Sequence, residues 1–378
     1  MSHEQSMSTP QLGIIPEGTV NLTDYAAHAR ERLSDQAWAY FSGAAGDEIT
    51  LQANRNAWDQ LTLHPRVLRS LVGGHTRQTL LGRVLEHPIL LAPVAFQRMA
   101  HPDGEIGTAY AAAAQGAGLV LSTQSSTPLE AIAQAILSDA GRGPLWFQLY
   151  VQPDRAFTRE LVQRAEQAGY EALVVTVDAP ASGARDRERR AGFKLPEGIQ
   201  AINLAGMPKP ANTSTLQAGQ SAMFDGLLNA APTWDDIAWL QGITRLPILL
   251  KGILHEDDAR QAAQLGVQGL IVSNHGGRTL DTAVPTAWAL PRIAQAVGKD
   301  LPVLVDGGIR RGTDVLKAIA LGADAVLIGR PYVHALATAG ALGVAHVIRL
   351  LRDEFEIAMA LTGCATMADI TPGVLFQR

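Results

Sequence analysis

The 378-residue chain contains a single cysteine, Cys364, and it is poor in charged residues (18 %) and aromatic residues (5 %). One cysteine excludes an internal disulfide framework and a zinc site built from cysteines. Because 31 basic residues face 36 acidic ones, nucleic acid is not expected as the main partner. No apolar run approaches the length that spans a bilayer, and residues 1–19 do not resemble a signal peptide. These absences predict a cytoplasmic protein with no membrane association.

Hydrophobic residues make up 47 % of the chain and glycine occurs 36 times, so a large core with many tight turns is expected. A helical stretch that ends on a glycine and leads into a short apolar run recurs along the sequence. Runs that are apolar on both faces are typical of parallel strands covered on both sides. Eight runs are predicted as strands: Ile89–Ala95, Leu119–Ser122, Leu145–Tyr150, Ala172–Val177, Pro247–Lys251, Leu270–Ser273, Pro302–Val305 and Ala325–Ile328.

Eight strands that alternate with helices predict a (β/α)8 TIM barrel as a single domain over residues 21–378, with a doubly wound open sheet as the alternative. Two helices, Asn21–Leu33 and Ser34–Phe41, precede the barrel, and residues 1–20 are expected to form a flexible tail. A long insertion follows strand four. Its part at 196–232 is rich in small residues and lacks a clear period, so we predict a lid over the barrel mouth.

Polar side chains stand at the carboxyl end of nearly every predicted strand, where such barrels hold their active sites. The two last strands end in Asp306–Gly308 and in Gly329-Arg330. Glycine turns let backbone N–H groups approach an anion, and a helix that begins near Thr313 adds positive potential. We therefore predict a phosphate site there; the alternative is two ordinary turns with surface arginines.

Three further strand ends carry groups suited to proton chemistry. Lys251 ends strand five, either as a cation beside an electron-rich cofactor, as a Schiff-base former or in a structural ion pair. His275 ends strand six and Arg278 follows two glycines later, so a base and a carboxylate-binding group can face one spot. Asp178 ends strand four, where it can hold the second imidazole nitrogen or cap a helix. No cluster has metal-ligand spacing, so no metal site is predicted.

The stretch Ser273-Asn274-His275-Gly276-Gly277-Arg278-Thr279-Leu280-Asp281 closely resembles the signature of the FMN-dependent L-2-hydroxy-acid oxidising family. That family includes glycolate oxidase, lactate oxidase and the flavin lactate and mandelate dehydrogenases. Further matching stretches are Ala92–Ala95, Phe147–Tyr150, Thr176–Asp178, Leu250–Gly252, Asp306–Gly312 and Ile328–Pro331. The resemblance extends from about Asn21 to Cys364. It implies a (β/α)8 barrel that binds FMN and assembles as a homotetramer or octamer.

The resemblance also implies a cofactor role for particular residues. The flavin would contact Pro93, Val94, Ala95, Ser122, Gln148 and Thr176. Lys251 would lie beside flavin N1 and the C2 carbonyl, and Ser273 would touch the ring system or the ribityl chain. Asp306 would hold the ribityl hydroxyls. The phosphate would be bound by Gly308, Arg310, Gly329 and Arg330, with Gly307 beside them.

The substrate site follows from the same resemblance. Tyr40, Arg185 and Arg278 would hold the substrate carboxylate. Tyr150 would hydrogen-bond the substrate hydroxyl. His275 would be the base, oriented by Asp178.

Three departures from the family pattern bear on substrate and location. Ala184 stands before Arg185, where the family often has a second basic residue. Gln124 stands where glycolate-type enzymes carry a large aromatic residue next to the substrate side chain, so lactate or a longer acid is expected as an alternative to glycolate. The insertion lacks the long apolar segment of the membrane-bound members, and the chain has no room for a haem domain.

The sequence therefore predicts oxidation of a small L-2-hydroxy acid to the 2-oxo acid on FMN, with electrons passing to O2 to give H2O2. Four alternatives stay open: a dehydrogenase of the same family with another acceptor, a monooxygenase-like outcome, a different phosphate-binding FMN barrel, and a barrel that holds flavin without catalysis. Whether the α-hydrogen leaves as a proton or as a hydride also stays open.

Overall fold

A closed barrel of eight parallel strands forms the centre of the protein. The structure is a computed structural model that describes residues 13–208, 219–226, 228, 231–299 and 301–376. An antiparallel hairpin of β1 (Gln78–Leu80) and β2 (Arg83–Leu85) precedes the barrel. The barrel strands are β3 (Ile89–Leu91), β4 (Gly118–Ser122), β5 (Leu145–Leu149), β6 (Ala172–Thr176), β7 (Ile248–Ile253), β8 (Gly269–Val272), β9 (Val303–Val305) and β10 (Ala325–Ile328). Because β10 pairs with β3, the sheet closes, which confirms the TIM barrel and excludes the open sheet.

Helices cover the outside of the barrel, as parallel crossovers require. In chain order they are α1 (Asp24–Arg32), α2 (Asp35–Ser42), α3 (Ile49–Gln60), α4 (Gly104–Ala114), α5 (Leu129–Ile136), α6 (Arg155–Gln167), α7 (Asp186–Arg190), α8 (Trp234–Gln241), α9 (Glu256–Leu265), α10 (Thr286–Val297), α11 (Gly312–Ala320) and α12 (Arg330–Thr362). Ser34 caps α2 as expected, since its hydroxyl accepts a hydrogen bond from the backbone N–H of Ala37 at 3.2 Å. Helix α3 is an element that the sequence analysis did not predict.

The predicted start of α11 near Thr313 is confirmed to within two residues. The helix begins at Gly312 with Arg311 as its N-cap. The carboxylate of Asp314 accepts hydrogen bonds from the backbone N–H groups of Arg310 and Arg311, both at 2.9 Å. A side chain within the first turn therefore satisfies these donors, which a sequence pattern based on Thr313 alone does not reveal.

Side chains alternate along the barrel strands between the barrel interior and the layer beneath the helices. Leu90 belongs to the interior cluster, whereas Ile89 and Leu91 pack in the outer cluster with the helices. Leu80 and Leu85 of the hairpin join the interior cluster. The hairpin therefore plugs the amino-terminal end of the barrel, and the polar strand ends are left at the opposite end.

The hairpin was not predicted from the sequence. Its two-residue turn is Leu81-Gly82, and both residues have positive φ (48° and 76°), the geometry that matches the twist of paired strands. An asparagine in place of Leu81 would have been a recognisable turn signal, but a leucine within an apolar run does not indicate a turn.

The two segments predicted to be loose are described only in part. Residues 1–12 lie outside the described residues, and in residues 13–20 Ile15 packs against the core and Thr19 is buried. Of the predicted lid at 196–232, residues 209–218, 227, 229 and 230 lie outside the described part. Its beginning is anchored, because Asn203 is buried and its amide bonds the backbone N–H of Leu129 at 3.0 Å and the hydroxyl of Ser125 at 2.8 Å.

Helix α12 is long and apolar enough to cross a membrane by length and composition alone, which differs from the sequence-based expectation of no such run. However, 72 % of its most apolar stretch is buried inside the protein. The helix is also interrupted, because Ala339 and Gly340 have non-helical backbone angles. The buried apolar surface of α12 packs against α1, α4 and α11.

Candidate active site

A cavity of about 620 Å³ opens at the carboxyl ends of the barrel strands. Most residues assigned to a site from the sequence line it: Tyr40, Pro93, Val94, Ala95, Ser122, Gln148, Tyr150, Thr176, Arg185, Lys251, His275, Arg278, Asp306, Gly307, Gly308, Arg310, Gly329 and Arg330. Asp178 and Ser273 are not among the lining residues, and each contacts a lining residue from behind. The cavity wall also includes Glu188, to which the sequence analysis gave no role.

His275 and Asp178 form a partly buried pair at the cavity. The Nδ1 atom of His275 lies 3.0 Å from Oδ1 of Asp178. Burial lowers the pKa of His275, although the carboxylate of Asp178 counteracts part of this effect. Burial alone would raise the pKa of Asp178, but His275 and Lys251 hold it below its usual value. Since an ionised carboxylate only accepts, Nδ1 carries the hydrogen and Nε2 of a neutral His275 is left as a proton acceptor.

Local backbone geometry makes this pair possible. His275 itself has a positive φ of 56°, an uncommon conformation for a residue with a Cβ and one that clusters at functional sites. Its backbone N–H is held by the hydroxyl of Ser273 at 3.1 Å. Gly252 sits at a register shift in β7 with φ 114°, and a Cβ there would lie 2.5 Å from the Cβ of Asp178. Only glycine therefore lets the backbone of β7 pass beside Asp178.

Lys251 is buried in the floor of the cavity next to Asp306. Its Nζ lies 3.1 Å from Oδ2 of Asp306 and donates to the hydroxyl of Ser273 at 2.9 Å. Burial would lower the pKa of Lys251, but the carboxylates of Asp306 and Asp178 raise it overall, so the side chain is a fixed cation. A Schiff-base former needs a neutral amine, so the ion pair with Asp306 argues against that alternative.

Several polar atoms of the site are buried without a hydrogen-bond partner in the described part of the chain, and two of them are Nε2 of Gln148 and Oδ1 of Asp306. The carbonyl of the Gln148 amide accepts from Ser122 and from the backbone N–H of Thr123, which leaves its NH2 group as a donor. Buried polar groups are normally paired, so a donor and an acceptor in this position fit a polar ligand.

Arg310 and Arg330 concentrate positive charge in the cavity wall. Burial lowers the pKa of Arg310 to about 10 and that of Arg330 to about 9. Arg330 donates to the carbonyls of Gly276 at 2.9 Å and Gly43 at 2.8 Å, and among the described residues neither guanidinium forms an ion pair with a carboxylate. Two partly buried cations that form no ion pair with a described carboxylate fit a phosphate dianion.

The turn beside these arginines requires its glycines. Gly307 and Gly308 have φ of 90° and 84°, and a Cβ on Gly308 would lie 2.6 Å from the carbonyl oxygen of Asn54. Asn54 and Trp58 belong to α3, and the indole of Trp58 donates to the carbonyl of Gly307 at 2.8 Å. Asn54 also exchanges two amide hydrogen bonds with Asn274, at 2.8 and 2.9 Å. Helix α3 thus supports both this turn and the turn that presents His275.

Tyr40, Tyr150, Arg185 and Arg278 line the side of the cavity nearest His275. The guanidinium of Arg278 lies 5.0 Å from the centre of the Tyr40 ring and donates to the backbone carbonyls of Tyr40 and Gly43. Burial lowers the pKa of Arg278, and Arg185 lowers it further. Burial raises the pKa values of both tyrosines, so their hydroxyl groups stay protonated and can donate hydrogen bonds.

The fold and the cavity together define a phosphate-binding (β/α)8 barrel with a histidine–aspartate pair, a buried lysine and two arginines for an anion. The chain belongs to the FMN-dependent dehydrogenase family, whose description it matches over residues 29–377. It is therefore an FMN-binding oxidoreductase, and the orphaned polar groups and the free arginines of the cavity fit the isoalloxazine edge, ribityl chain and phosphate of that cofactor.

Individual relatives are similar over nearly the whole chain. An L-lactate oxidase from Alicycliphilus denitrificans is 49 % identical over 362 residues, covering 96 % of this chain and 97 % of the relative. Glycolate oxidase 1 from Zea mays is 44 % identical over 351 residues, covering 93 % and 94 %. A crystal structure of mandelate oxidase with (S)-2-phenylpropionate has a TM-score of 0.84 and 42 % identity, covering 95 % of this chain and 98 % of that chain.

Replacing Arg330 with methionine is expected to weaken FMN retention. The change removes a buried cation whose charge-assisted hydrogen bonds to a phosphate are worth about 1.5–3 kcal/mol, so the dissociation constant for FMN should rise by about ten- to a hundredfold. The measurement is FMN fluorescence released during ultrafiltration. Arg311→Met is the matched control, since Arg311 is half-exposed, pairs with Glu354 and does not line the cavity. Equal FMN retention in both variants would contradict the phosphate site.

Proposed function

We propose that the protein oxidises a small L-2-hydroxy acid to the 2-oxo acid with bound FMN and passes the electrons to O2, which yields H2O2. The observation that carries this proposal is the pair of His275 and Asp178 in a cavity that Arg185 and Arg278 also line and that fits FMN. Proton removal next to a carboxylate requires a base and cationic groups side by side. The similarity to proteins named L-lactate oxidase and glycolate oxidase supports the same reaction.

Each side chain has a distinct part in this proposal. Arg185, Arg278 and the hydroxyl of Tyr40 bind the substrate carboxylate, which fixes the orientation of the acid. Tyr150 donates to the substrate hydroxyl. Nε2 of His275 accepts a proton from the substrate, and Asp178 stabilises the resulting imidazolium. FMN, when bound, supplies the two-electron acceptor.

Lys251 determines how well the cavity stabilises negative charge. The buried cation of Lys251 favours negative charge that develops in the cavity during the reaction, and this effect is larger in a site with little water. Its pairing with Asp306 holds the ammonium group in one place. The orientation of Lys251 is thereby set before substrate arrives, so no reorganisation is needed during the reaction.

Small L-2-hydroxy acids are the substrate class that the site favours. Gln124 lines the cavity at the position where glycolate-type enzymes carry a large aromatic residue, so a methyl side chain as in L-lactate has room. L-Lactate is the first candidate, because several relatives named L-lactate oxidase are 48–49 % identical. A soluble dehydrogenase that uses another acceptor is the second candidate, favoured by the description of the matching family as a dehydrogenase.

One experiment tests substrate and acceptor together. The visible spectrum of the purified protein is recorded under argon before and after L-lactate, glycolate or L-mandelate is added. Bleaching of the flavin with L-lactate is expected, followed by recovery of the yellow colour when air is admitted. Bleaching without recovery in air would favour the dehydrogenase. Yellow protein that no acid bleaches would contradict the proposed reaction and favour a barrel that holds flavin without catalysis.

His275→Gln is expected to lower the rate of flavin reduction by about 10²–10⁴-fold while FMN stays bound, because glutamine cannot accept the proton. Stopped-flow absorbance under argon measures the rate. In the unchanged protein, burial lowers the pKa of His275, so the base is neutral at pH 7. The rate should therefore decline only when the pH falls below about 6.5, the usual pKa of histidine. Near-normal reduction in the variant would rule out His275 as the base.

We further propose that the protein works as a homotetramer in the cytoplasm. Support for assembly comes from exposed apolar side chains on the loop between α3 and β1 and on the last turn of α12. The two segments lie together because a backbone hydrogen bond joins the loop to the end of the helix. Val67, Leu68 and Val72 are more than three-quarters exposed, and Leu361 is 69 % exposed. Arg66 N–H donates to the carbonyl of Thr362 at 3.4 Å. A second copy would remove this surface from water; static light scattering measures the molar mass.

A further inference from the structure

Glu188 places a carboxylate of the protein itself between the two arginines of the site. Its Oε1 accepts a hydrogen bond from Nη2 of Arg278 at 3.1 Å and lies 3.5 Å from Nη1 of Arg185. The side chain is only 13 % exposed and lines the cavity. These two guanidinium groups are the ones that the proposed function assigns to the substrate carboxylate.

The remaining contacts of Arg278 restrict the direction from which an anion can approach its guanidinium. Its Nη1 already donates to the backbone carbonyls of Tyr40 and Gly43, so a ligand must approach the guanidinium from the side of Nη2. Glu188 holds that side. Two carboxylates beside the same nitrogen repel each other, and therefore the substrate and Glu188 cannot both occupy this position at full strength.

The surroundings allow Glu188 to move without unfolding its helix. The preceding residue, Arg187, pairs with Glu48 on the loop before α3. The backbone N–H of Gly46 donates to the carbonyl of Ala184 at 2.7 Å. Both contacts hold α7 and its approach against the α2–α3 connection, independently of Glu188. A rotation of the Glu188 side chain alone is thus sufficient to free Arg185 and Arg278.

We propose that Glu188 is an internal counter-ion that competes with the substrate carboxylate for Arg185 and Arg278 and so sets the Michaelis constant. In the site without substrate, it neutralises part of the positive charge of Arg185 and Arg278, which stabilises these two neighbouring cations. The substrate displaces it on binding. The identification of the displacing anion as a hydroxy acid rests on the proposed function, whereas the competition itself concerns any small carboxylate.

The test is anion binding to the FMN-loaded Glu188→Gln variant. Acetate, which carries a carboxylate but no hydroxyl, is titrated under argon while the change in flavin absorbance is followed. Glutamine keeps the size of the side chain and removes its charge, so acetate is expected to bind about five- to tenfold more tightly than to the unchanged protein. The Michaelis constant for the hydroxy acid should fall by a similar factor, with a much smaller change in kcat.

Asp186→Asn is the matched control, because it removes the same charge from the same helix. Asp186 is 36 % exposed, pairs with Arg189 and Arg190, and does not line the cavity. Its acetate affinity should stay within about twofold of the unchanged protein, since exposed pairs contribute little. If acetate also binds more tightly to the control, the effect comes from the change in net charge, and the proposal is overturned.

Two other outcomes for Glu188→Gln would also overturn the proposal. Unchanged acetate binding would show that Glu188 does not compete, and weaker binding would show that it is a support that holds the arginines in place. If the glutamine variant does not fold, Glu188→Asp replaces it. Because aspartate is shorter and reaches the arginines less well, acetate affinity should rise by a smaller factor than in Glu188→Gln. The acetate titration needs no turnover, so a protein that no hydroxy acid bleaches would defeat the proposed function and leave this inference standing.

Discussion

The dominant constraint in this molecule is the positive charge gathered at one end of a barrel whose chain carries a net charge of −5. Five cationic side chains of the described residues line the cavity, Arg185, Lys251, Arg278, Arg310 and Arg330, against two carboxylates, Glu188 and Asp306. Burying charge is costly unless it is paired. In the proposed reaction, anionic ligands balance this excess: the phosphate of FMN and the carboxylate of the substrate.

Where the protein pairs these groups with its own carboxylates, each carboxylate comes from a strand end two places away in the barrel. Asp178 follows β6 and pairs with His275 after β8, and Asp306 follows β9 and pairs with Lys251 of β7. Asp306 keeps Lys251 a cation, whereas burial keeps the pKa of His275 low although Asp178 counteracts part of this effect. Glu188 is the exception, since it comes from a short helix in the long insertion and holds a group that a substrate also needs.

The ends of the strands could be predicted because their pattern is local: a glycine ends several of the helices, a short apolar run follows, and a polar residue comes next. This pattern located His275, Lys251 and Arg330 at the correct end of the barrel. Helix α3 and the hairpin of β1 and β2 were missed. Their residues carry weak local signals, and their places are determined by distant partners, as when Trp58 bonds Gly307 or Leu80 packs inside the barrel.

By itself the sequence determined the repeating strand–helix order, the closure expected of eight units and the residue types at the barrel mouth, because hydrophobic periodicity and glycine turns act over a few residues. The tertiary structure alone decided which of these side chains meet and in what charge state. The pKa values of His275 and Lys251 depend on burial and on carboxylates from other strands. The position of Glu188 between Arg185 and Arg278 likewise depends on how α7 docks against the loop before α3, a contact between segments more than a hundred residues apart in the chain.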